Sequence, residues 1–412
     1  LNRSLRKYLV SPFRKRLTNK STGRILRDMR GSLDRFLYAH RNCKNVTICL
    51  TDNTRPFPDK EFLPEILRCL EETGFAKEDV TIFIATGLHR HLTMDELKKK
   101  LGERVVSDFR VIQNNPEDAV EVGFEGERFY VSPVLLKSDI LIGTGIFEPH
   151  QYAGFSGGNK LFVIGCGGRR TIEYTHSADM ILSKGVRIGN IVRNPFRGCI
   201  ERYARKLPPR WVMNIVKDEK ENIVMSDCGE PEIVFKRLSE WYVKNMSIQF
   251  PAQFDGVFVR IGSNKGVNLY QASRGATYIS LSKSPIVKEG GPIVVWADLR
   301  EGIGLGSGEE EFGRIIKTNI RNERLIDRLS NSGYGGGGQR ALMFLRTLVR
   351  NPVVFTGYKK DVSFSRENLY FIRDSREALE YVRSNFGARE MLYISDPFVH
   401  LYSVKRDNKR EI

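Results

Sequence analysis

Three side chains able to act on a small molecule share one glycine-rich stretch. His150, Lys160 and His176 lie ten and then sixteen residues apart, in a run that opens with Asp139-Ile-Leu-Ile142, passes through Gly154-Phe-Ser-Gly-Gly-Asn-Lys160 and ends at Thr175-His176. An imidazole, an amine and a second imidazole can supply a base, a covalent anchor and a metal ligand. Those are the parts of a cofactor site. Two nucleotide readings fail on their own terms. Gly154–Lys160 lacks the Gly-Lys-Ser/Thr ending of a phosphate-binding loop, and Gly143-Thr-Gly145 is too short for a dinucleotide fingerprint.

Further candidates stand at the ends of other apolar runs. His89 follows Val80-Thr-Ile-Phe-Ile-Ala85 within Thr86-Gly-Leu-His-Arg-His91, and Arg55 follows Val46-Thr-Ile-Cys-Leu50 within Asp52-Asn-Thr-Arg-Pro56. Histidines at two neighbouring strand ends could face one ligand from opposite sides, as proton chemistry at a hydroxyl-bearing carbon requires. Arg55 could grip a carboxylate with two N–H donors. Its plain alternative is an ion pair with Asp52.

The elements that must position these groups alternate. Helical spacing of Ile25, Leu26, Met29, Leu33, Phe36 and Leu37 predicts a helix over 22–42, and residues 59–73 read as an amphipathic helix. Thr93-Met-Asp-Glu96 is a capping box that opens another. Strands are expected at 46–50, 80–85 and 139–142, and again at 256–261, 292–296, 353–356 and 391–394. Apolar strands separated by helices imply parallel sheets with crossover helices, and ligands bind at the carboxyl edge of such sheets. Residues 195–250 read as mostly helical, with a linker near 249–253. The expected architecture is therefore two α/β domains, 1–250 and 251–412, with mainly parallel sheets and an active site in the cleft between them. The glycine runs 302–308 and 333–338 have no fixed period; they serve sharp turns or close backbone approach. The charged tail 405–410 is expected to fray.

At 412 residues, two domains are the natural expectation. No apolar run reaches the roughly 18–20 residues of a membrane span, no signal-peptide pattern opens the chain, and six unpatterned cysteines read as reduced thiols of a cytoplasmic protein. The formal charge is +17, and residues 1–30 hold ten Lys or Arg against the single acid Asp28. Without interleaved aromatics or a nucleic-acid motif, this arm reads as solvated; contact with RNA or an anionic membrane is the alternative. A basic binding module would leave the spacing of His150, Lys160 and His176 without a reason. An ordinary nicotinamide oxidoreductase would lack its fingerprint.

Asp52-Asn-Thr-Arg-Pro, Ala85-Thr-Gly-Leu-His-Arg, the long motif from Gly143 to Lys160 and Thr171-Ile-Glu-Tyr-Thr-His together resemble the nickel-dependent lactate racemase family, in order from about Val46 to Gly275 and more loosely beyond. The resemblance implies an isomerase that racemises or epimerises a 2-hydroxy acid through a nickel-pincer nucleotide, a pyridinium-3-thioamide-5-thiocarboxylic acid mononucleotide. By the same resemblance Lys160 is the covalent tether and His176 the nickel ligand, and His89 and His150 are the acid and base. Arg55 holds the substrate carboxylate, Asp52 sits at the cofactor, and Tyr270 and Gln271 complete its site. Expected partners are the substrate and the enzymes that build and insert the cofactor, with neither membrane nor nucleic acid. Two departures stand out. Tyr270-Gln-Ala-Ser-Arg274 carries Arg274 where the family has lysine, and Gly333–Arg340 stands where a substrate-lining tryptophan is expected. Both point away from lactate toward a larger or more acidic 2-hydroxy acid, with Arg274 on the substrate side. The N-terminal arm is also unlike the family's usual start.

Overall fold

A computed structural model describes residues 9–10, 17–124, 127–262, 265–362 and 364–405. Most of the basic arm (1–8 and 11–16) and the tail beyond Lys405 lie outside the described residues. The chain forms two compact units: Leu17–Thr175 with Ile191–Tyr242, and His176–Asn190 with Val243 onward and the described part of 1–16. They are called the N-terminal and C-terminal units below.

The N-terminal unit is built on a six-stranded sheet. Its strands are β2 (Val46–Thr51), β3 (Val80–Ala85), β4 (Arg110–Gln113), β7 (Ile140–Ile146), β10 (Arg210–Lys217) and β11 (Ile223–Gly229), in the order β11-β10-β7-β2-β3-β4. Every pairing is parallel except β10 with β11. β-branched residues on both faces suit strands covered on both sides. Val46, Ile48 and Leu50 of β2 pack with Ile25, Met29, Leu33 and Leu37 of helix α1 (Thr22–Ala39) and with Phe62 and Ile66 of α2 (Asp59–Glu72). The capping box forms as expected: Thr93 Oγ1 accepts from Glu96 N at 3.3 Å, and Thr93 N donates to Glu96 Oε2 at 2.8 Å, opening α3 (Met94–Leu101). Hairpin β5 (Val120–Phe124) and β6 (Glu127–Val131) lies apart from the main sheet.

The mostly helical reading of 195–250 is overturned. Only α6 (Pro195–Ala204) and α7 (Pro231–Asn245) are helical there, and β10 and β11 lie between them. Pro208 and Pro209 stop the preceding helix. The following Trp211-Val-Met-Asn-Ile-Val216 is buried throughout and pairs with β7.

The C-terminal unit carries a second six-stranded sheet of β1 (Leu9–Val10), β13 (Gly256–Arg260), β14 (Ile293–Trp296), β15 (Val353–Thr356), β16 (Leu369–Phe371) and β17 (Met391–Ile394). Its order is β1-β17-β13-β14-β15-β16 and every pairing is parallel. β12 (Ser247–Phe250) pairs with β18 (Leu401–Val404), so part of the expected linker is a strand. Phe258, Val294, Val354 and Tyr393 pack against Ala378, Leu379 and Val382. The glycine runs 302–308 and 333–338 meet backbone to backbone. Gly337 has φ +101°, and a Cβ there would lie 1.9 Å from Gly308 O, so only glycine fits. Two α/β units with mainly parallel sheets are what the pattern predicts.

Candidate active site

Strands β7, β2 and β3 are neighbours in the N-terminal sheet, so their carboxyl ends share one edge. The chain runs β2 to β3 to β4 in one direction, then returns to place β7 on the other side of β2. The order therefore reverses between β2 and β7, and such a switch point opens a crevice at the strand ends. Asp52 follows β2, His89 follows β3, and His150 follows β7.

Asp52 is buried, yet its two oxygens are fully used. Oδ1 accepts from Thr54 N at 3.1 Å and from Thr54 Oγ1 at 2.7 Å, and Oδ2 meets His89 Nδ1 at 2.6 Å. Burial alone would raise its pKa; the His89 imidazole, the Thr54 donors and the Arg55 charge outweigh that and bring it down to about 2. A carboxylate fixed as an anion at Nδ1 holds the proton of neutral His89 there. Nε2 is then the lone-pair nitrogen and can act as a base. The alternative for Arg55, an ion pair with Asp52, does not form as a contact. Arg55 instead sets Nε 3.5 Å from Glu148 Oε1, and this shielded Nε has no hydrogen-bond acceptor among the described residues. His91, next to the motif, is tied back by Nε2 to Asn114 O at 2.8 Å.

His150 is poised the other way. It ends the two-residue strand β8 (Pro149–His150), which turns back onto β9 (Gly154–Phe155). Within that turn the amides of Tyr152 and Ala153 donate to His150 Nδ1 at 3.3 and 3.2 Å. Two donors at Nδ1 require a lone pair there, so the neutral ring carries its proton on Nε2 and presents it as a hydrogen-bond donor. The two rings, on either side of the end of β2, thus favour opposite tautomers.

Lys160 is buried and precedes a π-helical turn, Leu161–Gly165, a local irregularity common at functional sites. The loop from His150 to Lys160 is held from several sides. Arg197 of α6 donates Nε to Ala153 O and Nη2 to Phe155 O at 3.3 and 2.5 Å, with its guanidinium carbon 3.8 Å from the Phe235 ring centre. Asn194 Nδ2 donates to Tyr152 O at 2.8 Å. Gly157, at φ +88°, gives way to Asn214, whose Oδ1 would lie 2.8 Å from a Cβ there and accepts from Gly158 N at 2.9 Å. Asn159 Nδ2 donates to Glu201 Oε2 and Glu232 Oε1, each at 2.7 Å, and its Oδ1 accepts from Arg210 Nε at 3.0 Å. Sequence reading missed Arg197 and Asn214. Asn214, a lone polar residue in an apolar strand, was the available signal.

The remaining candidates belong to the C-terminal unit. His176 follows α4 (Arg169–Thr175), and its carbonyl accepts from Tyr334 Oη at 2.8 Å. Tyr270, Gln271 and Arg274 lie in the first turns of α8 (Leu269–Ser280), capped by Asn268 Oδ1, which accepts from Gln271 N at 2.9 Å. Arg274 is buried, donating to Gln271 Oε1 and Tyr278 Oη at 3.2 Å each, with its guanidinium carbon 5.0 Å from the Phe398 ring centre.

These residues fit a tethered, ligand-bearing cofactor. Among the described residues no three His, Cys, Asp or Glu side chains converge on a metal position. Beside His150, the buried amide of Gln151 has no hydrogen-bond partner for either Oε1 or Nε2 among the described residues, which suits a polar ligand. All six cysteines are free thiols, and no helix among the described residues is long and apolar enough to cross a membrane.

Fold and site define an α/β protein with two histidines at the carboxyl edge of a parallel sheet. Residues 24–189 match the lactate racemase N-terminal domain. The lactate racemase of Lactiplantibacillus plantarum is 30% identical over 326 residues, covering 76% of this chain and 74% of the relative. That of Thermoanaerobacterium thermosaccharolyticum is 26% identical over 355 residues, covering 83% and 80%. The structure of the T. thermosaccharolyticum lactate racemase apoprotein has the same fold, with a TM-score of 0.83 at 23% identity over 97% of this chain and 96% of that one. A Thermotoga maritima crystal structure also shares the fold, with a TM-score of 0.71 at 18% identity over 95% and 100%. The chain belongs to the lactate racemase family.

Proposed function

We propose that this protein is a racemase or epimerase of a 2-hydroxy acid other than lactate, dependent on a nickel-pincer nucleotide. The observation that carries the reading is the opposite poise of the two histidines: His89 holds its proton at Nδ1 against Asp52, and His150 accepts two amides at Nδ1. A reaction that takes a hydroxyl proton and returns it on the other face needs one base and one acid, exchanging roles each turnover.

In this reading Lys160 tethers the cofactor, His176 supplies the protein ligand to nickel, and Asp52, Tyr270 and Gln271 support the nucleotide. Imidazole beside sulfur and carbon donors suits nickel. The cofactor, when bound, would supply a reversible hydride acceptor for C2. The chain's own residues do the rest. Arg55, with its shielded Nε, holds the carboxylate. His89 Nε2 takes the hydroxyl proton, while Asp52 stabilises the imidazolium that results. His150, once its ring has itself taken up a proton, returns one from Nε2 to the carbonyl oxygen when the other face is presented. The exclusion of water around the buried His150 and Lys160 protects the hydride in transit.

Arg274 favours a substrate larger or more acidic than lactate, such as a dicarboxylate or a sugar acid. The protein is placed in the cytoplasm, where the enzymes that build and insert the cofactor would be its partners. The test is a panel of single-enantiomer 2-hydroxy acids offered to chain co-expressed with those enzymes, with intact mass and nickel content as loading checks. Racemisation of a larger or acidic member is expected. Lactate as the best substrate would overturn the specificity, and a fully loaded chain idle on the whole panel would overturn the activity.

A further inference from the structure

Arg340 has a guanidinium that the protein does not satisfy. It lies in the first turn of α11 (Gly338–Arg350), and its carbon is 5.2 Å from the centre of the Tyr270 ring. Nε and Nη1 are shut from water and have no hydrogen-bond acceptor among the described residues. Arg197 and Arg210, by contrast, meet carboxylates, Glu201 at 3.2 Å and Glu232 at 3.4 Å. Leaving N–H donors of a charged group buried and unmet is costly. A protein keeps such a group where something else completes it.

The surroundings say what that is. Tyr270 is pinned edge-on by Phe312, ring centres 5.5 Å apart, so it offers Arg340 a fixed aromatic surface. The backbone N–H of Arg340 bonds Gly337 O at 3.0 Å, and Gly337 N is met by Gln339 Oε1 at 2.8 Å, so the turn ahead of the helix is rigid. Tyr334, from the same glycine run, packs on Gly338, where a Cβ would lie 2.5 Å from Tyr334 Cβ, and bonds the His176 carbonyl. Arg340 thus lies against Tyr270 and directly follows the run whose Tyr334 bonds His176, both residues of the proposed site. A stacked, pre-positioned guanidinium with unmet donors takes an oxyanion.

We propose that Arg340 is the anchor of an oxyanion subsite in the C-terminal unit, binding a carboxylate or phosphate group. Two ligands carry that chemistry: the second acidic group of an anionic 2-hydroxy acid, and the phosphate of the nucleotide. The subsite deepens the racemase reading and rests on it for the choice of ligand, though not for the binding itself.

The test has two arms. First, inorganic phosphate and succinate are titrated calorimetrically into the cofactor-free full chain, as wild type, Arg340→Gln and Arg340→Lys. Binding about tenfold or more weaker in Arg340→Gln is expected, with Arg340→Lys between the two; if Arg340→Gln does not fold, Arg340→Lys alone must show the loss. Second, in loaded chain, the ratio of KM for malate to KM for 2-hydroxybutyrate is compared. A ratio raised about tenfold by Arg340→Gln assigns the subsite to the substrate. A fallen yield of Lys160 adduct with an unchanged ratio assigns it to the nucleotide phosphate. Wild type that binds neither probe, or a variant that binds both equally well, overturns the proposal. A loaded chain inert toward every 2-hydroxy acid would sink the racemase reading and still leave the titration to decide on Arg340.

Discussion

Each unit places a buried aspartate just beyond a central parallel strand, and the two have opposite surroundings. Asp52 follows β2, which lies between β7 and β3; Asp298 follows β14, which lies between β13 and β15. Each turns one oxygen to the amide two residues on, Thr54 N at 3.1 Å and Arg300 N at 3.4 Å. Their second oxygens differ. Asp298 Oδ2 accepts from Arg300 Nη1 at 2.7 Å, within its own loop, whereas Asp52 Oδ2 reaches His89 on the neighbouring strand end. Burial and a turn do not by themselves make a carboxylate part of the chemistry. What matters is whether the second oxygen leaves the loop for a group that can move a proton.

The largest effect that would break this contrast is at His89. His89→Ala should lower kcat by about 10²–10⁴-fold while the intact mass still shows the Lys160 adduct; full activity would remove His89 from the mechanism. Next comes the paired test of the carboxylates. Asp52→Asn cannot hold the Nδ1 proton as an anion does and should lower kcat roughly a hundredfold or more, whereas Asp298→Asn should stay within about twofold of wild type. Equal losses would erase the distinction.

Smaller in rate but larger in fold is the clamp on the loop between His150 and Lys160. Arg197→Met removes the partner of Ala153 O, Phe155 O and Glu201, and should cost about 3 kcal/mol of stability, read as a lower urea midpoint and a lower yield of Lys160 adduct. A normal yield at unchanged stability would show that the loop holds itself. The smallest effect is acid sensitivity. Asp52 has a folded pKa of about 2, below the 3.8 of a free aspartate. The stability it contributes, roughly 2 kcal/mol, is therefore present above about pH 4 and lost as pH falls toward 2. Urea midpoints of wild type and Asp52→Asn should converge over that interval; a constant gap would place the stabilisation elsewhere.

The sequence made the N-terminal strand ends legible because β2, β3 and β7 are apolar runs broken abruptly by Pro56, Gly87 and Pro149. It hid β10 and β11. Asn214 interrupts the apolar run, and β11 has half-buried Ser226 and Asp227, so neither alternates cleanly. Candidate groups were visible as residue types, and their pairings were not. Asp52 and His89 are 37 residues apart in sequence, and nothing local forecasts their bond. Arg55 does not take up the plain alternative of pairing with Asp52, for a physical reason: Thr54 and His89 already occupy both oxygens of Asp52, while Glu148, just beyond β7, is in reach of Arg55. Arg340 escaped notice because a glycine run reads as a turn, and only the packed helix start reveals what the turn presents.

The network around Asn159 bears on how the enzyme is assembled. An amine joined to a thioacyl arm loses its positive charge, so loading Lys160 changes the local charge by one. Next to it, Glu201 and Glu232 are balanced by Arg197 and Arg210 among themselves. The scaffold is electroneutral before and after the linkage forms. Under the proposed function, a newly made chain could hence take its final shape before a cofactor is joined to Lys160, maturation following folding.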